Sequence, residues 1–206
     1  MLHVTQSGTA SVPDAVLRAM FAARKAVFVD LLKWDVPVLA GQFEVDQFDN
    51  AHAQYLVLAD DDGGHLGSAR LLPTLRPHIL DSLYPELCDS DPPRGHDIYE
   101  ITRFCLDRSL NARDRRAVRD TLVIALADYA IANHVKGYSA IAEMGWLQQI
   151  LAFGWRCRPL GLPLPFDGKL LGALHIEIEP DTSGRLARAG IRPLADLIHG
   201  NARAAA

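Results

Sequence analysis

Residues 97–143, DIYEITRFCLDRSLNARDRRAVRDTLVIALADYAIANHVKGYSAIAE, read as strand, helix, strand, and that reading decides the fold. The opening DIYEITRFCLD is the best strand in the chain, rich in Ile, Tyr, Thr and Phe. From residue 112 a helix begins, with Val118, Leu122, Ile124, Ala125, Tyr129 and Ala132 making a broad apolar face. Gly137 stands where a helix C′ glycine belongs, and YSAIAE follows as a strand.

Working outward, a short strand over about 2–6 leads to SVPDAVLRAMFAARKAVFVDLL, where Val16, Met20, Ala23, Val27 and Leu31 recur at helical spacing after a Ser-x-Pro start. Residues 33–50 then read as a long irregular loop, too aromatic to be disordered and of a length that is usually functional. AQYLVLADDDGGHLGSARLLP reads as a hairpin around an Asp/Gly turn. PHILDSLY predicts a short helix, MGWLQQILAFG another, LLGALHIEIE a strand, and residues 183–206 a helical tail with a frayed end. Together these predict one α/β (α+β) domain over residues 1–206, a mixed twisted sheet flanked by helices.

Composition bounds the function. The chain has 206 residues, 49% hydrophobic and 22% charged, enough for a real core, and a formal net charge of −4 that argues against nucleic acid as partner. Three cysteines without a CxxC spacing suggest neither a disulfide framework nor zinc, and eight scattered histidines suggest no other metal site. The expected location is cytoplasmic, since no signal peptide or membrane-length apolar run is visible.

Six charges stand at element ends or inside apolar strands, where each needs a partner: Arg24, Asp46, Asp49, Arg70, Glu100 and Arg103. Three acids and three bases neutralise one another if they converge, and such a site suits a zwitterionic ligand. The competing reading is an ion-pair network that only ties the loop to the sheet. Glu100 and Arg103, three apart in one strand, should face opposite ways, so their convergence requires a β-bulge near Ile101 and Thr102. Arg24 and Phe28 share a helical face. Phe43 reads as a core staple, whereas Trp34 could wall an aromatic pocket for a cation. A second cluster, Arg108, Arg113, Arg115, Arg116 and Arg119, gathers at a strand-to-helix junction. Runs of this kind are commonly a solvated helix start, but arginines there also suit an anionic partner.

The ordered array Arg24, Phe28, Trp34, Asp46, Asp49, Arg70, Glu100, Arg103, with FGWRCRPLG from residue 153, closely resembles the LuxI-type acyl-homoserine-lactone synthases over about residues 20–165. The resemblance implies a fold like that of the N-acetyltransferases (GNAT). It implies transfer of an acyl group from a thioester to the α-amine of S-adenosylmethionine, then attack of the methionine carboxylate on its own γ-carbon. Methylthioadenosine leaves and a homoserine lactone, a quorum-sensing signal, is formed. Adenosylmethionine is a substrate, and no cofactor or metal is implied. On this reading the 33–50 loop is a lid over adenosylmethionine, contacted by Arg24, Phe28, Trp34, Asp46, Asp49 and Arg70. Glu100 is the general base, with Arg103 beside it.

The acyl group arrives in the family on acyl carrier protein or, in some members, on coenzyme A. The junction NARDRRAVR has no glycine to cradle a pyrophosphate, which favours carrier protein docking on Arg113, Arg115, Arg116 and Arg119. An apolar groove with Phe104, Leu122, Ala142 and Trp146 is expected for the acyl tail. Ala142 stands where makers of 3-oxo signals carry threonine, which implies an unsubstituted chain. The alternatives are an acetyl-coenzyme A dependent N-acetyltransferase of the same fold and a non-catalytic binding relative.

Overall fold

The computed structural model describes residues 1–5 and 12–194, so the end of the expected helical tail lies outside the described residues. The elements, in chain order, are β1 (Leu2–Val4), α1 (Asp14–Arg24), β2 (Val38–Leu39), β3 (Phe43–Glu44), β4 (Gln54–Ala59), β5 (His65–Pro73) and α2 (Ile79–Leu83). They continue with β6 (Ile98–Leu106), α3 (Ala112–Ala132), β7 (Gly137–Glu143), α4 (Met144–Leu151), β8 (Arg156–Pro159), β9 (Leu164–Phe166), β10 (Lys169–Glu177) and α5 (Thr182–Arg188). A π-helical segment, Lys25–Leu31, extends α1, and a 3₁₀ turn, Pro85–Leu87, follows α2. Strands of both orientations with helices around them make the mixed α/β architecture that the alternation of elements predicts.

The chain forms two compact units, residues 1–70, 103–125 and 192–206, and residues 71–102 and 126–191. In the first, β1 pairs antiparallel with β4, Leu2 opposite Leu58. α1 lays Val16 and Met20 on Tyr55, Val57 and Ala59 of β4, which is why those periodic positions are apolar. The β4–β5 connection is the expected Asp/Gly turn: Gly63 has φ +82° and the Asp60 carboxylate accepts from the Asp62 and Gly64 amides.

In the second unit β6 runs parallel to β7, from Ile98 opposite Gly137 to Ile101 opposite Ala140. That pairing ends there, while β7 continues to Glu143 against antiparallel β10. β8 pairs with Leu174–Glu177 of β10, residues that β7 also pairs, and β9 with Lys169–Leu171. Leu80 of α2, Leu87 and Ala173 make one core cluster, walled by Tyr84, Ile141, Leu164, Phe166 and Leu171. α4 presses on β10 so closely that a Cβ on Gly172 would stand 2.6 Å from Leu147 Cδ1.

Two sequence expectations are corrected here. The 33–50 segment is not wholly irregular, because β2 and β3 pair as a small hairpin. Gly137 is not the helix cap: α3 ends at Ala132, which is exposed, and His134 takes the left-handed turn at φ +57°. Gly137 opens β7 instead, where a Cβ would meet the His175 ring at 2.6 Å. The expected bulge is present. Asp107 N–H bonds to Leu66 O and Thr74 N–H to Ile98 O, so β6 uses nine steps where β5 uses eight. Arg103, inside that stretch, has φ +49°.

Candidate active site

Five of the six singled-out charges meet in the first unit, and the sixth partner is Glu44, which the sequence reading missed. Arg24 donates from Nε to Glu44 at 2.5 Å and from both terminal nitrogens to Asp49 at 2.8 Å. Arg70 forms a two-point contact with Asp46, at 2.6 and 2.9 Å, and lies 2.8 Å from Asp49. Arg103 reaches Glu44 Oε1 at 3.0 and 3.1 Å and Asp46 at 2.7 Å. Three guanidinium and three carboxylate groups thus form a closed, charge-neutral ring.

Backbone geometry delivers each member. Glu44 closes the two-residue β3, and Asp46 lies two positions on in the loop that follows it. Asp46 turns its own loop by accepting the Phe48 amide, and Asp49 accepts from Asp46 N–H and from Tyr55 Oη. The positive φ of Arg103 is a strained conformation, of order 1–3 kcal/mol. Its contacts to Glu44 and Asp46 hold it there.

Burial opposes ionisation throughout the ring, and pairing overrules it. Burial would raise the Asp49 carboxyl; hydrogen bonds and charge from Arg24 and Arg70, with the Asp46 amide, hold it far below the usual carboxylate range. Burial likewise opposes the charge on Arg24, but Asp49 and Glu44 raise its pKa above the ordinary value. The Tyr55 phenol is raised by burial and by Asp49. The side chains of Arg24, Glu44, Asp49 and Arg70 are at most 1% exposed, whereas Asp46 and Arg103 keep 9% and 10%. Asp46 and Arg103 are therefore the ring's outer edge.

Aromatic faces border that edge. Phe28 and Trp34 stack at 4.7 Å and 19°, and the Arg103 guanidinium lies 5.6 and 5.8 Å from their ring centres. Phe21 faces Arg24 and Phe48 faces Arg70. Phe48 is buried and Phe43 half-buried, so Phe48 is the firmer staple of the loop. Glu44, Asp46 and Asp49 also lie close enough to one another to ligate a cation, but each is already engaged by guanidinium groups.

Glu100 belongs to the second unit. Fully buried, it accepts the Ile79 amide on Oε2 at 2.8 Å and the Leu80 amide on Oε1 at 3.1 Å. Of the expected acyl-pocket residues, Phe104 and buried Leu122 lie in the first unit, Ala142 and Trp146 in the second. Trp146 meets Phe153 edge-on at 5.7 Å, and Phe153 meets Trp155.

The arginine run divides into two kinds. Arg115 donates to Asp107 O and Arg119 to Asp120, so these two are tied to their own surroundings. Arg113 and Arg116 are exposed, Arg116 with its Nε 4.0 Å from Asp120. At the start of α3, Asn111 accepts the Asp114 amide and donates to its carboxylate, so a side chain already caps that helix.

The chain is similar to known proteins over most of its length. The Autoinducer synthase family model matches residues 10–186. An acyl-homoserine-lactone synthase from Ralstonia solanacearum is 36% identical over 187 residues, 87% of this chain and 90% of that protein. The solved structure of BjaI, a CoA-dependent acyl-homoserine lactone synthase, with MTA has a TM-score of 0.83 and 27% identity, covering 93% of this chain and 90% of that one. An acyl-CoA N-acyltransferase from Pseudomonas aeruginosa, 15% identical over 85% of this chain and 99% of its own, shares the fold at a TM-score of 0.56.

Proposed function

The chain belongs to the autoinducer synthase family, and from that premise we propose how its residues divide the work of making an acyl-homoserine lactone. It is an acyltransferase, an acyl-homoserine-lactone synthase. The amine of S-adenosylmethionine attacks an acyl thioester, forming an amide and releasing the thiol. The methionine carboxylate then attacks its own γ-carbon, closing the lactone and releasing methylthioadenosine. Adenosylmethionine is consumed as a substrate, and the reading calls for no cofactor or metal.

The observation that carries the residue roles is the difference in exposure around the charge ring. Arg24, Glu44, Asp49 and Arg70 are sealed and mutually satisfied, so we assign them to holding the site in shape. Asp46 and Arg103 are the members that can meet a substrate: carboxylate for ammonium, guanidinium for carboxylate. The Phe28–Trp34 stack offers a π surface to the sulfonium. Glu100 is our general base, taking a proton from the attacking amine directly or through one water. Backbone amides where β6 parts from β7, beyond Ile101, are the proposed oxyanion donors.

For the acyl carrier we favour acyl carrier protein, met by exposed Arg113 and Arg116. The Asn111 cap supports this, since it occupies a helix start that could otherwise take a phosphate. Acyl-coenzyme A is the second reading, favoured by the CoA dependence of BjaI. Phe104, Leu122, Ala142 and Trp146 remain our acyl-contact candidates. No described helix is long and apolar enough to cross a membrane, and we place the reaction in the cytoplasm. Steady-state rates with matched acyl-carrier-protein and acyl-coenzyme A donors decide the carrier. A kcat/KM at least tenfold higher with coenzyme A would overturn the first reading.

A further inference from the structure

Glu100 has no exposed surface, and a buried carboxylate must be met by donors. Its donors include the Ile79 and Leu80 amides, one to each oxygen, at the start of α2. Glutamate χ3 is a soft torsion, so a single contact would leave the carboxylate free to rotate. One amide on each oxygen fixes its plane, and with it the direction of the remaining lone pairs.

α2 has five residues, too few to hold its own first turn by helix formation. Side chains do that instead. Asp81 Oδ1 accepts the His78 amide at 2.8 Å and the Ser82 hydroxyl at 2.7 Å. The His78 ring is buried, with Nδ1 2.9 Å from Arg76 O and 3.3 Å from Asp81 Oδ1. Nδ1 is thereby tied across the turn to the Arg76 carbonyl and to Asp81. Nε2 is buried without a hydrogen-bond partner. Burying an imidazole with one nitrogen unmet is costly, and a role in packing alone would be better filled by an apolar side chain. What the imidazole adds is the Nδ1 bridge across the turn.

We propose that His78 and Asp81 are positioning residues for Glu100, locking the first turn of α2 so that its two amides hold the carboxylate in one plane. The catalytic consequence rests on the reading of Glu100 as base; the positioning itself does not. Other side chains lie near Glu100 in space or in register. Cys88 follows the 3₁₀ turn, its thiol raised by burial, then by Asp89 and Glu100. Ser139 is in register with Glu100 on β7, and His175 with Ser139 on β10.

The test uses the full chain with labelled glutamate side chains and follows the Glu100 carboxyl by carbon NMR against pH, identified by its loss in Glu100→Gln. Asp81→Ala removes the acceptor of the His78 amide at a partly exposed position, and His78→Ala removes the bridge. In folded variants the Glu100 titration should move to higher pH, because loosened amides no longer favour the charged form. Exchange of the Ile79 and Leu80 amides should quicken, and kcat should fall about tenfold with the adenosylmethionine KM within about twofold. An unchanged titration and unchanged exchange in folded Asp81→Ala overturn the positioning, whatever the rates. A Glu100→Gln enzyme with full acyl-transfer rate removes the base reading alone, and the titration still judges the clamp.

Discussion

Glu44→Gln tests whether the charge ring acts as one unit. Glu44 is fully buried, its Oε2 accepting from Arg24 and its Oε1 accepting twice from Arg103. Glutamine keeps the shape but turns one acceptor into an NH₂ aimed at a guanidinium, and the ring passes from neutral to a net positive charge. Removing one partner of a buried ion pair costs about 3–5 kcal/mol. Asp46 and Asp49 still pair with the arginines, so the low end, about 3 kcal/mol, is expected. For a chain of this size that lowers Tm by roughly 6–12 °C. Urea unfolding and thermal melting at neutral pH measure it, and a double-mutant cycle with Arg24→Gln should return a coupling of about 1–3 kcal/mol. A loss below about 1 kcal/mol with an additive cycle would refute the ring as a cooperative unit.

Three other expectations follow from the same geometry. Asp49 ionises at lower pH in the folded chain than its unfolded value of about 3.9. Its stabilisation is therefore complete above about pH 5 and lost as pH falls toward the folded pKa, so the urea midpoint should drop from pH 5 to 3. Asp49→Asn should flatten that slope. Arg113→Glu with Arg116→Glu should raise the carrier-protein KM about tenfold at low salt, the difference shrinking in roughly 0.5 M salt while the adenosylmethionine KM holds. A salt-independent or absent change would exclude docking there. Gly137→Ala should destabilise by about 1–3 kcal/mol by pushing against the His175 ring, and an unchanged urea midpoint would contradict that contact.

What the sequence revealed, and what it hid, has physical reasons. Arg24, Asp46, Asp49, Arg70 and Arg103 were legible because a charge beside apolar periodicity demands a partner. The bulge was legible because Glu100 and Arg103 violate strand alternation if both are to serve one site. Glu44 was hidden because β3 has two residues, too few for alternation to register, and its burial exists only once Arg24 and Arg103 arrive. The second fate of Glu100, held by the α2 amides, is a tertiary contact 21 residues away that no local pattern encodes. β8 and β9 were missed as short strands. The β9–β10 hairpin did carry a signal, Asp167–Gly168 with φ +46° and +77° between flanking apolar residues.

The central claim is that this chain acylates the amine of adenosylmethionine and closes the lactone. The measurement that meets it most directly is mass spectrometry of one reaction holding purified chain, adenosylmethionine and an acyl thioester. The account predicts methylthioadenosine and an acyl-homoserine lactone in equal amounts, both absent when either substrate is withheld. Folded enzyme that consumes neither substrate, or that hydrolyses the thioester without releasing methylthioadenosine, with acyl-carrier-protein and acyl-coenzyme A donors alike, would contradict it.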